Sequence, residues 1–561
     1  MRLIAISLLA AASLAAADSY RVSTAMVPMR DGVRLATDIY RPSAEGRFPV
    51  LVTRTPYNKT GSRREAIYCA GHGYVVLAQD VRGRFASEGE FYALVNEGRD
   101  GYDTIEWAAA QPWSNGKVGT AGASYLGWVQ YNAAMLQPPH LVAMFALVAG
   151  SNYFASGRPG GAPGLPLWTL FMAQTSPEAQ KMPELRDKME AIVRDPDPWL
   201  ALPRDLREKM FLPFPDYLRM YRDFYARPAF DDYWKQPGYY TAGYYRDMKD
   251  VPTFFLTGWY DSFTGQVIEN FVALSKIQKS MKRLLIGPWP HATGRERCGD
   301  AEFGSAAAVD QLALERDWFD HWMKGTEFRM VSREPVRIFR MGGGMLRSDA
   351  PVAPGGEWED LPAWPPANAR PRRYYLNAAA LETTAPPAGQ GASSYSYDPK
   401  HPAPTRGHNG NRACVMDQAG LEKRSDVLSF ISSVPGKPVD VTGTVRATLW
   451  VSSSAEDTDF TAKLVDVYPN GYAMNLSDGV IRTSYREGLD RMVPMQPGKV
   501  YKITIDLGAT SNRFAAGHRV RLDISSSNFP KTEPNPNPAR NAVYHDAGRP
   551  SYIELPEVTA R

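Results

Sequence analysis

Between Lys117 and Gly127 the chain reads Lys-Val-Gly-Thr-Ala-Gly-Ala-Ser-Tyr-Leu-Gly, and few folds accommodate such a segment. An apolar run that reads as a strand ends in small residues around one serine, where a helical pattern begins. Gly122 and Ala123 before Ser124, and Gly127 after it, suit a strained strand–turn–helix elbow. Larger side chains there would block close helix–strand packing and bury the hydroxyl. The spacing, Gly-x-Ser-x-x-Gly, is one residue longer on its C-terminal side than the usual elbow. An ordinary helix start capped by serine would read the same way, so the rest of the chain has to decide.

A length of 561 residues predicts two or three domains. An apolar fraction of 44% with 13 tryptophans is that of a packed globular protein. A formal charge of +4, with no long basic run, argues against a nucleic-acid partner. At the N-terminus, Met1-Arg2 precedes the apolar run Leu3–Leu14 and then Ala15-Ala16-Ala17-Asp18. This pattern predicts a signal peptide over residues 1–17 and a periplasmic or secreted location. No other segment is long and apolar enough to span a bilayer. The three cysteines, Cys69, Cys298 and Cys414, lack metal-ligand spacing, and the two in irregular segments, Cys298 and Cys414, are the expected pair.

Three regimes follow one another. From about Arg21 to Gly150, Phe48–Val52, Tyr74–Ala78, Lys117–Ala121 and Phe145–Ala149 read as buried parallel strands, with helical patterns such as Glu97–Gln111 between them. The same alternation resumes at Val251–Leu256 and Arg283–Ile286, followed by a helix through Leu312 to Lys324, and implies a doubly wound α/β sheet over 21–150 and 251–346. The interruption at 151–250, rich in Pro, Met and aromatic residues, reads as a helical cap over the strand ends. Beyond Arg347 a Pro-rich linker, Pro351 to Pro371, leads into period-2 runs at Val445–Val451, Tyr501–Leu507 and Val520–Ile524. Residues 347–561 are therefore expected to form an antiparallel sandwich or jelly roll. Gly342-Gly343-Gly344 is no phosphate loop, since no helix start follows it. No metal or organic cofactor is expected.

A serine that transfers acyl groups needs a base and a carboxylate to orient that base. In α/β-hydrolases these follow in the order Ser, Asp/Glu, His, each at a strand's C-terminal end. Asp261 follows the run Phe254–Leu256, and His291 follows Leu284–Ile286. His72 and His140 break the order, His321 falls within a helix, and His401, His408, His518 and His545 belong to the β region. The expected triad is Ser124, Asp261 and His291.

The elbow Gly122–Gly127, with Arg54–Tyr57, Gln79–Gly83, Gly258–Asp261 and Gly287–His291, resembles the family that holds cocaine esterase, X-prolyl dipeptidyl-peptidases, α-amino-acid ester hydrolases and glutaryl cephalosporin acylases. Arg424–Leu428, Ser484–Gly488 and Gly517-His518 are similar to that family's jelly roll. The resemblance implies an α/β-hydrolase fold, Ser124 as nucleophile, His291 as general base and Asp261 as its orienting residue. It also implies an oxyanion hole made by the backbone N–H of Tyr125 and the hydroxyl of Tyr57. Residues alone favour a buried structural tyrosine at position 57, and only the resemblance reverses that reading.

Amino-acid ester hydrolases of the family carry acidic residues just after the triad aspartate, whereas here Asp261 precedes Ser262-Phe-Thr-Gly265. A buried ammonium without a carboxylate is disfavoured. Phe263 resembles the family's apolar acyl pocket, and Trp168 and Phe171 are candidate further walls. A cap carboxylate, Glu184 or Asp187, is the remaining candidate partner for an ammonium. The expected activity is hydrolysis of a small-molecule acyl or aryl ester through an acyl-enzyme. An X-prolyl dipeptidyl-peptidase or amidase with the same triad, and a carbohydrate-binding protein with an inactive hydrolase domain, are the alternatives. A homo-oligomer is compatible with the sequence.

Overall fold

The computed structural model describes residues 20–329, 332–344, 352–389, 391–407 and 414–559. The expected signal peptide, His408 and Pro351 lie outside them. Two strands the sequence reading did not resolve, β1 (Tyr20–Pro28) and β2 (Arg34–Pro42), form an antiparallel hairpin. Six of the nine residues of β1 are exposed, four of them in a row, so it lacks a legible apolar period. Strand β2 pairs antiparallel with β4 (Val75–Asp80), and from β4 onward the sheet is parallel. Its order is β4, β3 (Phe48–Thr55), β5 (Ser114–Ala123), β6 (Leu141–Leu147), β7 (Thr253–Gly258) and β8 (Lys282–Gly287).

Strands β4, β7 and β8 are buried at every position, as strands covered on both faces must be. Alternate residues serve opposite faces. Val50, Val52, Val75 and Leu77 pack with Ile105 of α2 (Glu97–Ala109) and Ala133 of α3 (Tyr125–Ala134). Leu51, Val76 and Ala78 pack with Ala66 of α1 (Arg63–Gly71) and Trp318 of α7 (Gln311–Phe319). This is the doubly wound α/β-hydrolase sheet. The helix expected through Lys324 ends at Phe319 and continues as a π-helical turn, Asp320–Lys324, that holds His321.

Between β6 and β7 lie the helices of the cap, chiefly α4 (Leu167–Gln174), α5 (Pro183–Arg194) and α6 (Pro215–Ala226). The buried cap residues Leu170, Phe211, Tyr217 and Trp234, on these helices and the segments between and after them, form one cluster with Tyr125 and Trp128 of α3. At about 1.5–3 kcal/mol per large apolar side chain, this shared core fixes the cap over the elbow. After β8 comes helix α7, and β9 (Val336–Gly342) then adds parallel to β8. The stretch read as a Pro-rich linker is not a plain linker. It contains β10 (Gly356–Leu361), which pairs antiparallel with β9, and β11 begins at Ala369. Prolines at its margins leave a six-residue pairing segment intact.

The C-terminal region is a jelly roll of two packed antiparallel sheets. One joins β11 (Ala369–Asn377), the final strand Tyr552–Val558, Val439–Ser453 and Tyr501–Phe514. The other joins Leu428–Ser432, Arg519–Ser525, Asp459–Val467 and Ala473–Arg482. Val445, Ala447, Leu449, Val451, Leu464, Leu522 and Ile524 meet in its core, all fully buried. Cys298 and Cys414 are disulfide-bonded with Cα atoms 5.1 Å apart, which ties the loop after β8 to this region, and Cys69 is free and buried. Glu533, on a jelly-roll loop, accepts hydrogen bonds from Arg204, Arg207 and Tyr225 of the cap.

Candidate active site

Ser124 stands between β5 and α3 with φ 60° and ψ −122°. Such a conformation costs a non-glycine residue about 1–3 kcal/mol, so its surroundings must impose it. Its N–H donates to Leu147 O at 2.8 Å, and its carbonyl accepts from Trp128 N at 2.9 Å. A Cβ on Gly127 would lie 2.6 Å from Ala149 Cβ, and one on Gly122 would lie 2.5 Å from Leu126 Cβ. These contacts explain the lengthened motif. The helix meets β6 at position 127, while Leu126 occupies the usual glycine position and fits because residue 122 has no side chain.

Asp261 and His291 stand three and four residues beyond β7 and β8. Their loops are bonded together, Trp259 N to Gly287 O at 2.9 Å and Tyr260 N to Trp289 O at 3.0 Å. A Cβ on Gly258 would lie 2.2 Å from Trp289 O, so this approach requires glycine. Asp261 Oδ2 lies 2.5 Å from His291 Nδ1, and its Oδ1 accepts from Phe263 N at 2.7 Å. The Asp261 side chain is fully buried and that of His291 is 39% exposed. Burial alone would lower the His291 pKa. The hydrogen bond and charge of Asp261 outweigh it, and the imidazole is shifted above its ordinary value. With Nδ1 held by the carboxylate, Nε2 is left to exchange a proton with a substrate or nucleophile. The Ser124 and His291 side chains are not hydrogen-bonded to each other here, as is common before substrate closes such a site.

Tyr57 follows β3 by two residues, and its N–H donates to Thr55 Oγ1 at 3.0 Å. Its phenol accepts a hydrogen bond from Trp168 Nε1 at 3.0 Å. Burial raises the Tyr57 pKa, against smaller lowering effects of the Trp168 and Ser124 side chains and the Arg84 charge. The phenol therefore keeps its proton at neutral pH and has it available to donate. Tyr125 opens α3, so its backbone N–H has no intrahelical acceptor. Its side chain is pinned from behind. Tyr125 Oη donates to Glu97 Oε1 at 2.8 Å, and Glu97 pairs with Arg54 at 2.8 Å.

The candidate pocket residues all border this group. Phe263 lies against His291, with ring centroids 5.7 Å apart, Phe171 against Tyr57 at 5.9 Å, and Trp168 is stacked on Tyr125 at 6.0 Å. Trp168 is thus more than the apolar wall expected, since it also donates to the Tyr57 hydroxyl. Two members were not anticipated. Trp128 packs on Phe263 at 6.2 Å, and Tyr153 bridges Trp128 and Trp168 at 6.2 and 6.5 Å. Trp128 sits one helical turn after Ser124, a spacing that could have flagged it, whereas Tyr153 gives no comparable signal. A cavity of about 590 Å³ opens beside the elbow, lined in part by Tyr57, Ala123, Leu147 and Thr293. Glu184 and Asp187 are exposed on α5, where Asp187 pairs with its neighbour Arg186. Among the described residues no cluster of His, Cys, Asp or Glu is arranged to hold a metal ion.

A doubly wound sheet with a serine on a strained elbow and a carboxylate–imidazole pair at two later strand ends belongs to the serine hydrolases. The X-Pro dipeptidyl-peptidase (S15 family) pattern matches residues 31–293, and that of the X-Pro dipeptidyl-peptidase C-terminal non-catalytic domain matches residues 330–554. Over 95% of its length the chain is 34% identical to cocaine esterase of Rhodococcus sp. (strain MB1 Bresler), of which it covers 98%. It belongs to the family of cocaine esterase and the X-Pro dipeptidyl-peptidases. Two solved structures share the fold at 23% identity, each covering 96% of this chain and 97% of its own. An α-amino acid ester hydrolase superposes with a TM-score of 0.79, and an aminopeptidase from a marine sediment Thaumarchaeota archaeon with 0.78. The chain is a hydrolase of the serine type.

Proposed function

We propose that the protein is exported and hydrolyses neutral acyl or aryl esters through an acyl-enzyme on Ser124. The observation that carries this reading is the 2.5 Å Asp261–His291 contact beside the Ser124 elbow. His291 Nε2 takes the Ser124 Oγ proton as the oxygen bonds to the ester carbonyl carbon. The resulting oxyanion accepts from the Tyr57 O–H and the Tyr125 N–H, a type of stabilisation worth about 2.7–4 kcal/mol per donor. Collapse breaks the bond to the alcohol oxygen, which leaves with the proton from His291. Water then repeats the sequence on the acyl-enzyme and releases the acid. The aromatic wall of Phe263, Trp168 and Phe171 favours an apolar acyl group. The identity with cocaine esterase supports an ester as substrate. Export rests on the pattern of residues 1–17.

The match to the X-Pro dipeptidyl-peptidase pattern supports a second reading, cleavage of an X-Pro amide. That activity needs a carboxylate for the free N-terminus, and the two cap acids considered for it are exposed. A fluorophosphonate probe and nitrophenyl esters test the first reading. Wild-type enzyme is expected to be labelled and active, and Ser124→Ala neither. Labelling that survives Ser124→Ala removes the assignment. Faster turnover of X-Pro anilides than of esters favours the second reading.

A further inference from the structure

Arg84 is a fully buried guanidinium, and among the described residues no carboxylate lies within ion-pair distance of it. Leaving a charge uncompensated in a core is costly. The loop that delivers it turns at Gly83 with φ 67° and is strained at Phe85, a non-glycine residue at φ 48°. What the guanidinium receives instead of an anion is a set of neutral acceptors on three separate segments. Arg84 Nε donates to Pro56 O at 2.9 Å, the carbonyl immediately before Tyr57. Nη1 donates to Met172 O at 3.0 Å and to the Tyr217 hydroxyl, and Nη2 donates to Thr175 Oγ1 at 2.8 Å. Met172 and Thr175 belong to the C-terminal end of α4, where carbonyls lack intrahelical donors and a cation is favoured.

Helix α4 also carries Trp168, whose indole donates to the Tyr57 hydroxyl. The planar fork of Arg84 therefore ties together the two segments that meet in the Trp168–Tyr57 hydrogen bond. A phenol has one proton to give. When the indole N–H occupies an oxygen lone pair, the proton is left to point toward the Ser124 side, where an oxyanion would form.

We infer that Arg84 is a positioning residue for the oxyanion hole, which it serves by locking the Tyr57 loop to the cap helix that carries Trp168. The inference rests on Tyr57 as the oxyanion donor. It makes the cap part of the catalytic geometry as well as a cover for the pocket.

The test is a double-mutant cycle on the full chain with a neutral nitrophenyl ester. Arg84→Met, Arg84→Lys and Trp168→Phe are each made in wild-type and Tyr57→Phe backgrounds. Each is expected to lower kcat about tenfold in the wild-type background with KM within about threefold, and less than about twofold once the Tyr57 hydroxyl is gone. Lysine keeps the charge but not the planar fork, so it should not restore kcat. If Arg84→Met does not fold, Arg84→Lys, which keeps the buried charge, gives the same reading. Wild-type kcat in the Arg84 variants, or an equal loss in both backgrounds, overturns the inference. A Tyr57→Phe enzyme with undiminished kcat is a different result and removes the reading of Tyr57 beneath it.

Discussion

The strand ends and the cap build the two halves of this site by different means. Ser124, Asp261 and His291 are placed by backbone hydrogen bonds and glycine contacts within the sheet and its loops, such as Ser124 N to Leu147 O and Gly258 against Trp289. Trp168, Phe171 and Tyr153 are placed by side chains, through ring packing, Arg84 and the Glu533 cluster. A sheet fixed by its main chain can hold reacting groups while an insertion changes freely. The difference predicts that changes at the strand ends act on kcat and changes in the cap act mainly on the choice of substrate, with the Trp168–Tyr57 bond as the point where the two meet.

The largest effect tests the strand ends. Asp261→Asn preserves shape but leaves the imidazole without its anionic partner, and kcat should fall about 10⁴-fold with the fold intact. A loss under tenfold would show that the 2.5 Å contact is merely structural. Next comes the meeting point. Tyr57→Phe should lower kcat roughly 10²–10³-fold with little change in KM. A change in KM alone would move Tyr57 to the substrate-selecting half. The third prediction concerns pH. A protonated His291 cannot accept the serine proton, and Asp261 holds its pKa above the ordinary 6.5. On a non-ionising ester, kcat/KM should fall about tenfold per unit below an inflection above that value. An inflection below 6.5 would mean that burial outweighs the carboxylate.

The contrast also explains what was legible in the sequence. Strand-end residues carry a local signature, since Asp261 and His291 each follow an apolar run and Ser124 sits among glycines that the close packing demands. Strand β2 and the hairpin with β1 escaped because their residues lack a clean period of two. Strand β10 escaped because flanking prolines mark a linker even where the six residues between them pair. Cap geometry was not legible, because nothing in the neighbours of Trp168 announces that its indole meets a tyrosine 111 positions earlier. Arg84 lay beside a motif already noted, yet its role depends on Pro56 and Met172 arriving at the same place.

The smallest expected effect bears on the pocket that the cap helps to wall. Two esters that differ only in an α-amino group against hydrogen should separate by about tenfold in kcat/KM, in favour of the neutral one, equal to about 1.4 kcal/mol. The charged ester must shed water among Phe263, Trp168 and Phe171. Asp261, the acid beside them, is already committed to His291 and the Phe263 N–H. Glu184 and Asp187 are exposed on α5, and Asp187 is engaged with Arg186. The penalty would be several kcal/mol in a dry site, and the half-exposed rim near His291, itself 39% exposed, reduces it to the modest figure expected. The comparison is run at a pH where the amine is charged and repeated where it is neutral, and discrimination should shrink as the charge is lost. Faster hydrolysis of the charged ester would mean that the cap brings a carboxylate into the pocket when substrate binds. The peptidase reading would then be the better account of the same triad.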